Sequence, residues 1–406
     1  MKRDRPSVLF VMTTMGRAGA ERALLNLLET FPEGEFDLFL FALFPHGELF
    51  QELPRRVTVL NRKVSGVSPL SWHGRFLLGA QLLRAACRSG ALRRALGFYA
   101  SLRRGAHPLP RGTALEKALR RLLADGALPP GRAFDCAVAY LEGPATWYTA
   151  EKVRASRKAA FVHVEYGKAG YRRALDEGAY GSFGRVYCVS REVRESFLHA
   201  YPEYAEKTEL CYNTLGRARI LRLAREEEAF PALWSGFRIL TVGRLHPMKG
   251  CDIAVEAARL LREQGRRFCW VVLGEGPERA RLTRQIRRSG LQDMFLLPGA
   301  RQNPYPWFRA ADLYVCASRY EGKSLVVEEA QLLGCPVVTL PCTGVEEQVE
   351  DGVSGLIVSG SAPELAAAIA SLMDDAQRRA AFGRRAAEKP LPPDEGSDRL
   401  RAFLKG

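Results

Sequence analysis

The sequence predicts an α/β protein built from two domains, each a parallel sheet covered by helices. Short apolar runs such as residues 8–12 and 237–242 recur along the chain, and several lead through a turn into a pattern with helical spacing. Strands that are apolar throughout are typical of parallel sheets buried on both faces. The chain of 406 residues is long enough for two hydrophobic cores.

Composition and charge indicate a globular protein that binds anionic partners. Hydrophobic residues make up 47% and charged residues 26% of the chain, as in ordinary globular proteins. The net charge of +15 favours anionic partners such as nucleotides, lipid headgroups or nucleic acid. The nine cysteines form no C-x-x-C pair, which predicts buried free thiols in a reducing compartment. No apolar run is long enough to span a membrane or to form a signal peptide, so we expect a cytoplasmic protein.

The first half is expected to open with a strand over 8–12 and a small-residue turn that leads into a helix. Gly16 and Gly19 lie on this turn, where the backbone could approach a ligand closely, but an ordinary structural turn is equally compatible. His163 stands near the carboxyl end of a later strand, which is the ligand side of a parallel sheet. The alternative is a satisfied structural histidine. The remaining strands of this half are expected at 36–41, 57–60, 136–139, 159–166, 185–190 and 209–213.

Residues 68–125 differ from the rest of the first half because arginine and lysine greatly outnumber acidic residues there. The pattern predicts basic amphipathic helices. One helical stripe is apolar: Phe76, Ala80, Leu83 and Cys87. Two interpretations remain open, namely core helices with a solvated basic face, or docking on an anionic membrane surface.

The second half follows an irregular, charged crossover over about 214–236. A proline-rich break is expected at 389–393 and a final helix over 398–404. The strands of this half are expected at 237–242, 268–273, 295–299, 311–316, 336–339 and 355–358.

Two strand-to-helix turns of the second half carry the residues that favour binding chemistry. Arg244 and Lys249 are two cations on one such turn, which suits a diphosphate because arginine can bind two oxygens while lysine acts as a point charge. A second turn follows the strand 311–316 and contains Glu321. The helix that starts there points free N–H groups at the ligand side.

The second turn and the helix after it also carry a hydroxyl, on Ser324, and carboxylates, on Glu321 and Glu329. Ser324 is expected to cap the new helix through its side chain. Glu321 and Glu329 can face the same cleft, and carboxylates are good acceptors for the paired hydroxyls of a ribose or a sugar ring. Glu328 lies on a different helix face and is expected to be solvated.

Several motifs of the second half occur in order and at suitable spacing: Gly243-Arg244-Leu245, Lys249-Gly250, Gly274-Glu275-Gly276-Pro277, Asn303-Pro304, Ser318-Arg319-Tyr320-Glu321-Gly322 and Glu329-Ala330. Together they resemble glycosyltransferase family 4, the retaining enzymes of the GT-B fold. The first half adds weaker matches at Gly19-Ala20-Glu21-Arg22, at His163 and at Cys188-Val189-Ser190. The resemblance covers most of the chain except about 68–125.

The resemblance implies a GT-B fold, in which two Rossmann-like domains with parallel sheets face each other across a cleft. Residues 1–215 then form the acceptor domain, with 68–125 as a basic helical insertion. Residues 216–388 form the nucleotide-sugar donor domain, and the tail 389–406 can return to the first domain.

The resemblance also implies roles for individual residues. Arg244 and Lys249 hold the donor diphosphate, and Glu329 accepts hydrogen bonds from the ribose. Glu321 contacts the donor sugar and phosphate, and His163 contacts the sugar near the reacting carbon. Further donor contacts are expected at Gly243, Gly322, Lys323, Ser324 and Leu325, and Gly16 and Gly19 form the loop beside donor and acceptor.

Two positions depart from the usual pattern of that family. Ala18-Gly19 stands where the family often has a glycine pair, and Lys323 stands where it often has phenylalanine. A lysine at this point could contact an anionic donor or acceptor, which leaves the identity of the sugar open.

The expected activity is retaining transfer of a sugar, from a UDP-sugar in preference to other donors, to a glycan or lipid-linked acceptor of cell-surface polysaccharide synthesis. No metal or other cofactor is expected, because Arg244 and Lys249 supply the positive charge that a leaving diphosphate needs. Nucleic acid is not an expected partner. The alternatives are an epimerase-like enzyme on the same fold and a non-catalytic basic binding protein.

Overall fold

The computed structural model of the chain describes residues 5–69, 71–88, 90–104, 108–176, 178–226, 236–389 and 395–406. The chain divides into two compact units, Met1–Thr214 with Pro393–Gly406, and Leu215–Pro392. Residues 227–235 of the expected crossover and residues 390–393 of the expected proline-rich break lie outside the described residues.

The first unit is organised around a parallel sheet. Its strands are β1 (Ser7–Met12), β2 (Asp37–Ala42), β3 (Val57–Val59), β4 (Ala133–Ala139), β5 (Arg154–Val162), β6 (Arg185–Cys188) and β7 (Thr208–Leu210). Among the described residues they form one seven-stranded sheet in the order β3-β2-β1-β4-β5-β6-β7, and every neighbouring pair is parallel. Its helices up to residue 200 are α1 (Gly19–Thr30), α2 (Trp72–Ala86), α3 (Ala91–Arg103), α4 (Arg111–Gly126), α5 (Pro144–Lys152), α6 (Arg173–Asp176) and α7 (Arg191–Ala200).

The second unit repeats this architecture. Its strands are β8 (Phe237–Val242), β9 (Phe268–Leu273), β10 (Phe295–Gly299), β11 (Leu313–Cys316), β12 (Val337–Thr339) and β13 (Gly355–Ile357). In the described part of the unit they form a six-stranded parallel sheet in the order β10-β9-β8-β11-β12-β13. Its helices are α8 (Arg217–Leu223), α9 (Cys251–Glu263), α10 (Arg279–Arg288), α11 (Tyr305–Ala310), α12 (Leu325–Leu332), α13 (Val345–Gln348), α14 (Ala362–Asp374) and α15 (Ala376–Glu388).

Alternating residues of the second sheet enter two separate hydrophobic clusters. Trp270 and Val272 of β9 pack with apolar residues of α9 and α14. Cys269 and Val271 of the same strand pack with residues of α8, α11 and α12. Both faces of the sheet are therefore covered, which explains why its strands are largely apolar.

The last helix, α16 (Glu395–Lys405), belongs to the first unit. Glu35 accepts hydrogen bonds from Arg401 and forms a second ion pair with Lys405 at 2.7 Å. Arg157 donates a hydrogen bond to the carbonyl of Leu404 at 3.1 Å. These contacts attach the end of the chain to β5 and to the turn before β2.

Most predicted strands agree with the structure, and β8, β9 and β10 have the predicted bounds. The strand expected over 159–166 is wrong at both ends, because β5 runs from Arg154 to Val162. Its charged first half was not recognised as a strand. Beyond it, Tyr171 donates its backbone N–H to the carbonyl of Tyr166, so the apolar residues that follow His163 belong to a folded loop.

The basic insertion forms α2, α3 and α4. The interpretation that the stripe of Phe76, Ala80, Leu83 and Cys87 faces a core is wrong. Phe76 and Leu83 are 67% and 71% exposed, and Cys87 is exposed as well. The packed face of α2 is formed by Leu82, Ala85 and Ala86, which lie against α3 and α4. A helix phase read from the sequence cannot say which of two apolar faces is covered.

Candidate functional site

In the second unit, the direction in which the strands follow one another reverses between β8 and β11. The chain runs outward from β8 to β10 on one side and from β11 to β13 on the other. Ligands of open parallel sheets bind beyond the carboxyl ends of the strands where the order reverses in this way. The turns after β8 and β11 both lie at this switch point, and they are the two turns that the sequence singled out.

The turn after β8 passes very close to the end of β11. Gly250 has φ +59, and a Cβ atom there would lie 1.9 Å from the carbonyl oxygen of Ala317. Only glycine permits this conformation and this approach without strain. Arg319 fastens the same two turns, because its backbone N–H donates to Met248 at 2.8 Å and its guanidinium binds both carboxylate oxygens of Asp252 at 2.9 and 2.7 Å.

A second glycine turn supports the first. A Cβ atom at Gly274, directly after β9, would lie 1.8 Å from the carbonyl oxygen of Gly243. Leu245 donates its backbone N–H to the carbonyl of Glu275 at 2.9 Å. The backbone after β9 therefore contacts the turn that carries Gly243 and Arg244 at two points.

Lys249 and Glu321 form an ion pair at the switch point. Ser318 donates a hydrogen bond to the same carboxylate oxygen at 2.6 Å. Burial alone would lower the pKa of Lys249, but the charge and hydrogen bond of Glu321 outweigh it and raise the pKa above its usual value. Lys249 therefore stays cationic at neutral pH and is held in one place.

Arg244 is exposed beside this pair. No carboxylate among the described residues forms an ion pair with its guanidinium, in contrast to Lys249 and Arg319. The site thus combines one fixed cation with one cation whose hydrogen-bonding groups face solvent.

The turn from Gly322 to Leu325 is buried and fixed by a residue that the sequence did not single out. Gln348 accepts a hydrogen bond from the backbone N–H of Ser324 at 3.2 Å and donates one to its carbonyl at 2.8 Å. Ser324 does occupy the N-cap position of α12, but its side chain makes no capping bond, so that expectation is wrong. The amide of Gln348 satisfies the backbone of Ser324 instead.

Glu328 was expected to be solvated, and this is wrong. Its carboxylate lies 2.7 Å from the ammonium of Lys323, and the two side chains are only 10% and 2% exposed. Lys323 sits on the turn before α12 and Glu328 one turn into the helix, so the two side chains meet in the interior. The ammonium of Lys323 is therefore directed at an internal carboxylate.

Glu329 is buried on the neighbouring face of α12. One of its carboxylate oxygens accepts a hydrogen bond from the hydroxyl of Tyr305 at 3.1 Å. Tyr305 begins α11, and its backbone N–H donates to the side chain of Asn303 at 3.2 Å. The Asn303-Pro304 turn thus positions the residue that orients Glu329.

The remaining candidates belong to the first unit. His163 directly follows β5 and is 8% exposed, and its backbone N–H donates to Glu142 at 2.9 Å. Burial lowers the pKa of its imidazole to about 3, and the side chain of Asn213 only partly opposes this shift. The ring is therefore neutral at physiological pH and can serve as a hydrogen-bonding group but not as a cation.

Gly16 lies between β1 and α1, and Gly19 is the first residue of α1, at the switch point of the first sheet. Gly16 is packed, since a Cβ atom there would touch the ring of Pro69 at 3.4 Å. Apart from its chain neighbours and the nearby backbone of its own helix, no atom of the described residues lies within 4 Å of a Cβ placed at Gly19.

The structure thus brings Gly243, Arg244, Lys249 and Glu321 together with the turn 322–325 and Glu329 in the second unit. Sequence reasoning missed three supporting residues, Ser318, Tyr305 and Gln348. Ser318 lies inside a recognised motif, and Tyr305 directly follows another, Asn303-Pro304. These two motifs were the available signal for the two residues. No signal identifies Gln348, which is 24 positions from its partner.

Within the described ranges, no group of three or more His, Cys, Asp or Glu residues is arranged to hold a metal ion. None of the helices described is both long and apolar enough to cross a membrane.

Residues 226–389 match the family model described as glycosyl transferases group 1. Among curated proteins, the chain is 34% identical over 157 residues to an alpha-D-kanosaminyltransferase of Streptomyces kanamyceticus, which covers 38% of this chain and 40% of that protein. It is 38% identical over 179 residues to D-inositol 3-phosphate glycosyltransferase 2 of Catenulispora acidiphila, covering 41% and 42%. The matches thus span about two fifths of these relatives.

Solved structures match over almost the whole chain. HepE of Anabaena, in complex with UDP and glucose, has a TM-score of 0.66 at 19% identity and covers 98% of this chain and 97% of its own. A TarM variant of S. aureus, in a complex that includes UDP, has a TM-score of 0.67 at 12% identity, with 99% and 100% covered. At these identities the likeness concerns the fold alone, and it confirms the expected GT-B class.

Proposed function

Since residues 226–389 match the group 1 glycosyl transferases, we propose that this protein transfers a sugar from a nucleoside diphosphate donor to an acceptor hydroxyl. The observation that carries the proposal is the pair of cations, Arg244 and Lys249, at the switch point of the second sheet. Two positive charges on one rigid turn suit the two phosphates of such a donor.

In this reaction the leaving diphosphate is the group that most needs stabilisation. As the bond between the anomeric carbon and the diphosphate oxygen breaks, negative charge grows on the diphosphate. Arg244 and Lys249 stabilise this charge more in the transition state than in the ground state, which accelerates the reaction. The acceptor oxygen forms the new bond to the anomeric carbon, and the hydroxyl proton is released with the nucleoside diphosphate.

The other residues of the site fit the rest of a donor. Glu329 is oriented by Tyr305 and offers acceptor oxygens to a ribose diol. Glu321 holds Lys249 and borders the space for the donor sugar, while the start of α12 lies beside the phosphates. His163, neutral and at a strand end, is assigned to the transferred sugar.

We favour a UDP-sugar as donor and a glycan or a lipid-linked sugar as acceptor. Support for UDP comes from the solved complexes of HepE, which contain UDP and UDP-glucose. Retention of the anomeric configuration rests on the resemblance of the motifs to family 4. A lipid-linked acceptor would place the reaction at a membrane surface, on the cytoplasmic side where nucleotide sugars are donors.

The proposal is tested by incubating the protein with a panel of UDP-sugars and a lipid or glycan extract, and by following UDP release and the labelled product. We expect release with one or a few UDP-sugars, a product with retained configuration, and an unchanged rate after EDTA treatment, because Arg244 and Lys249 supply the positive charge. Release of a rearranged free sugar without transfer would instead favour an epimerase-like activity.

A further inference from the structure

The three helices of the basic insertion expose several large apolar side chains. Within the described ranges, most of the large apolar side chains that are exposed lie between residues 72 and 119. They are Trp72, Phe76, Leu83, Leu92, Leu96, Leu115 and Leu119. Large apolar side chains that cluster on a surface mark an interaction site, whereas scattered ones do not.

The most apolar part of this surface is one stripe on α2. Trp72, Phe76 and Leu83 are 80%, 67% and 71% exposed. At 3.6 residues per turn, their positions fall within about 40° of one another around the helix axis. We refer to these three residues as the α2 stripe.

Other residues of α2 already supply the contacts that hold the helix in the fold. Leu82, Ala85 and Ala86 pack against α3 and α4. A Cβ atom at Gly126 would lie 2.2 Å from the Cβ of Ala85, so the two helices are in close contact. The α2 stripe is therefore not needed for internal packing, and an outer helix face of an ordinary globular protein would be polar.

Basic residues border the stripe. Arg75 and Arg84 are exposed on either side of it, and no carboxylate among the described residues forms an ion pair with them. Arg93 on α3 is also exposed and forms no ion pair with a described carboxylate. A surface helix with aromatic and leucine side chains between arginines matches the interface of an anionic lipid bilayer, where apolar groups enter the acyl region and cations meet headgroups.

We propose that the α2 stripe, with Arg75 and Arg84, docks this protein on an anionic lipid membrane. The charge pattern decides against a second copy of the chain. A symmetric dimer through the stripe would place the arginines of one copy against those of the other. The proposal goes beyond sugar transfer and does not depend on it.

The test uses the full-length protein and vesicles of phosphatidylcholine, with or without phosphatidylglycerol, at about 0.1 M and 1 M salt, where the Debye length is about 10 Å and 3 Å. Sedimentation gives the partition coefficient. We expect binding to the anionic vesicles at low salt and its loss at high salt. Absence of binding to anionic vesicles at low salt would overturn the proposal.

Two variants and one matched control locate the docking surface. The triple variant Trp72→Ser, Phe76→Ser, Leu83→Ser should reduce the partition coefficient by about tenfold or more. Arg75→Gln with Arg84→Gln should reduce it by roughly fivefold per arginine. The control Leu128→Ser, Leu221→Ser, Val353→Ser also removes three exposed apolar side chains and should bind as the wild type does.

Other outcomes would also overturn the proposal. Unchanged binding of the triple variant would do so, and so would a wild-type dimer in solution that the triple variant converts to a monomer, because a second copy would then cover the stripe. Donor turnover measured without vesicles should be equal in all these variants. Vesicle binding without any donor turnover would refute the proposed activity and leave the docking surface intact.

Discussion

Replacing Arg244 by alanine is expected to lower donor turnover about a hundredfold, as the loss of one transition-state hydrogen-bond donor does in other enzymes. The thermal stability of the second unit should not change, because the exposed guanidinium forms no ion pair with the described carboxylates. Turnover is measured as UDP release, and stability as the midpoint of thermal unfolding. A loss of turnover without a change in the unfolding midpoint would show that Arg244 acts in ligand binding or catalysis and not in folding.

Lys249→Ala should reduce turnover by a similar factor, but with a different effect on the fold. Its ammonium is the ion-pair partner of the partly buried Glu321, so some stability should also be lost. Arg288→Ala is the matched control, since Arg288 is an exposed arginine of the same unit on α10. Turnover within threefold of the wild type in both Arg244→Ala and Lys249→Ala would refute the assignment of the diphosphate site.

Glu328→Ala is expected to destabilise the second unit by about 3–5 kcal/mol, the usual result of removing one partner of a buried ion pair. The side chain of Lys323 is 2% exposed, and its ammonium would lose the carboxylate that lies 2.7 Å away. For a unit of this size the loss corresponds to a fall of roughly 6–20 °C in the unfolding midpoint.

Two further variants show whether burial is the cause. Asp374→Ala breaks an exposed pair with Arg266 in the same unit and should leave the unfolding midpoint nearly unchanged. The double variant Lys323→Met, Glu328→Leu removes both buried charges and should recover most of the stability. If Glu328→Ala unfolds like the wild type, the pair contributes nothing and the solvated position expected from the sequence is correct.

The strands could be predicted well from the sequence because a buried parallel strand is a short apolar run between turns. The same logic located Arg244, Lys249 and Glu321 at strand ends, where a parallel sheet collects its ligand-binding residues. The spacing of the residues was sufficient for this part of the site.

The errors on helices share one physical cause, since they depend on what packs against a helix. Glu328 was assigned to the wrong environment, and the core interpretation of the stripe Phe76, Ala80, Leu83 and Cys87 failed, because helical spacing fixes which residues share a face but not what covers that face. The cap of α12 failed for a related reason. Gln348, from a distant segment, forms hydrogen bonds with the backbone N–H and carbonyl of Ser324, and the side chain of Ser324 makes no capping bond.

The most direct test of the proposed donor site is the thermal unfolding of the protein with UDP, GDP, ADP, CMP and inorganic pyrophosphate. A nucleotide at about 100 times its dissociation constant should add roughly 2.7 kcal/mol, or several degrees. We expect a shift with UDP that exceeds the shift with pyrophosphate and that is lost in Arg244→Ala. A midpoint that no nucleotide raises, or that UDP raises equally in Arg244→Ala, would contradict the placement of the donor at the β8–β11 switch point.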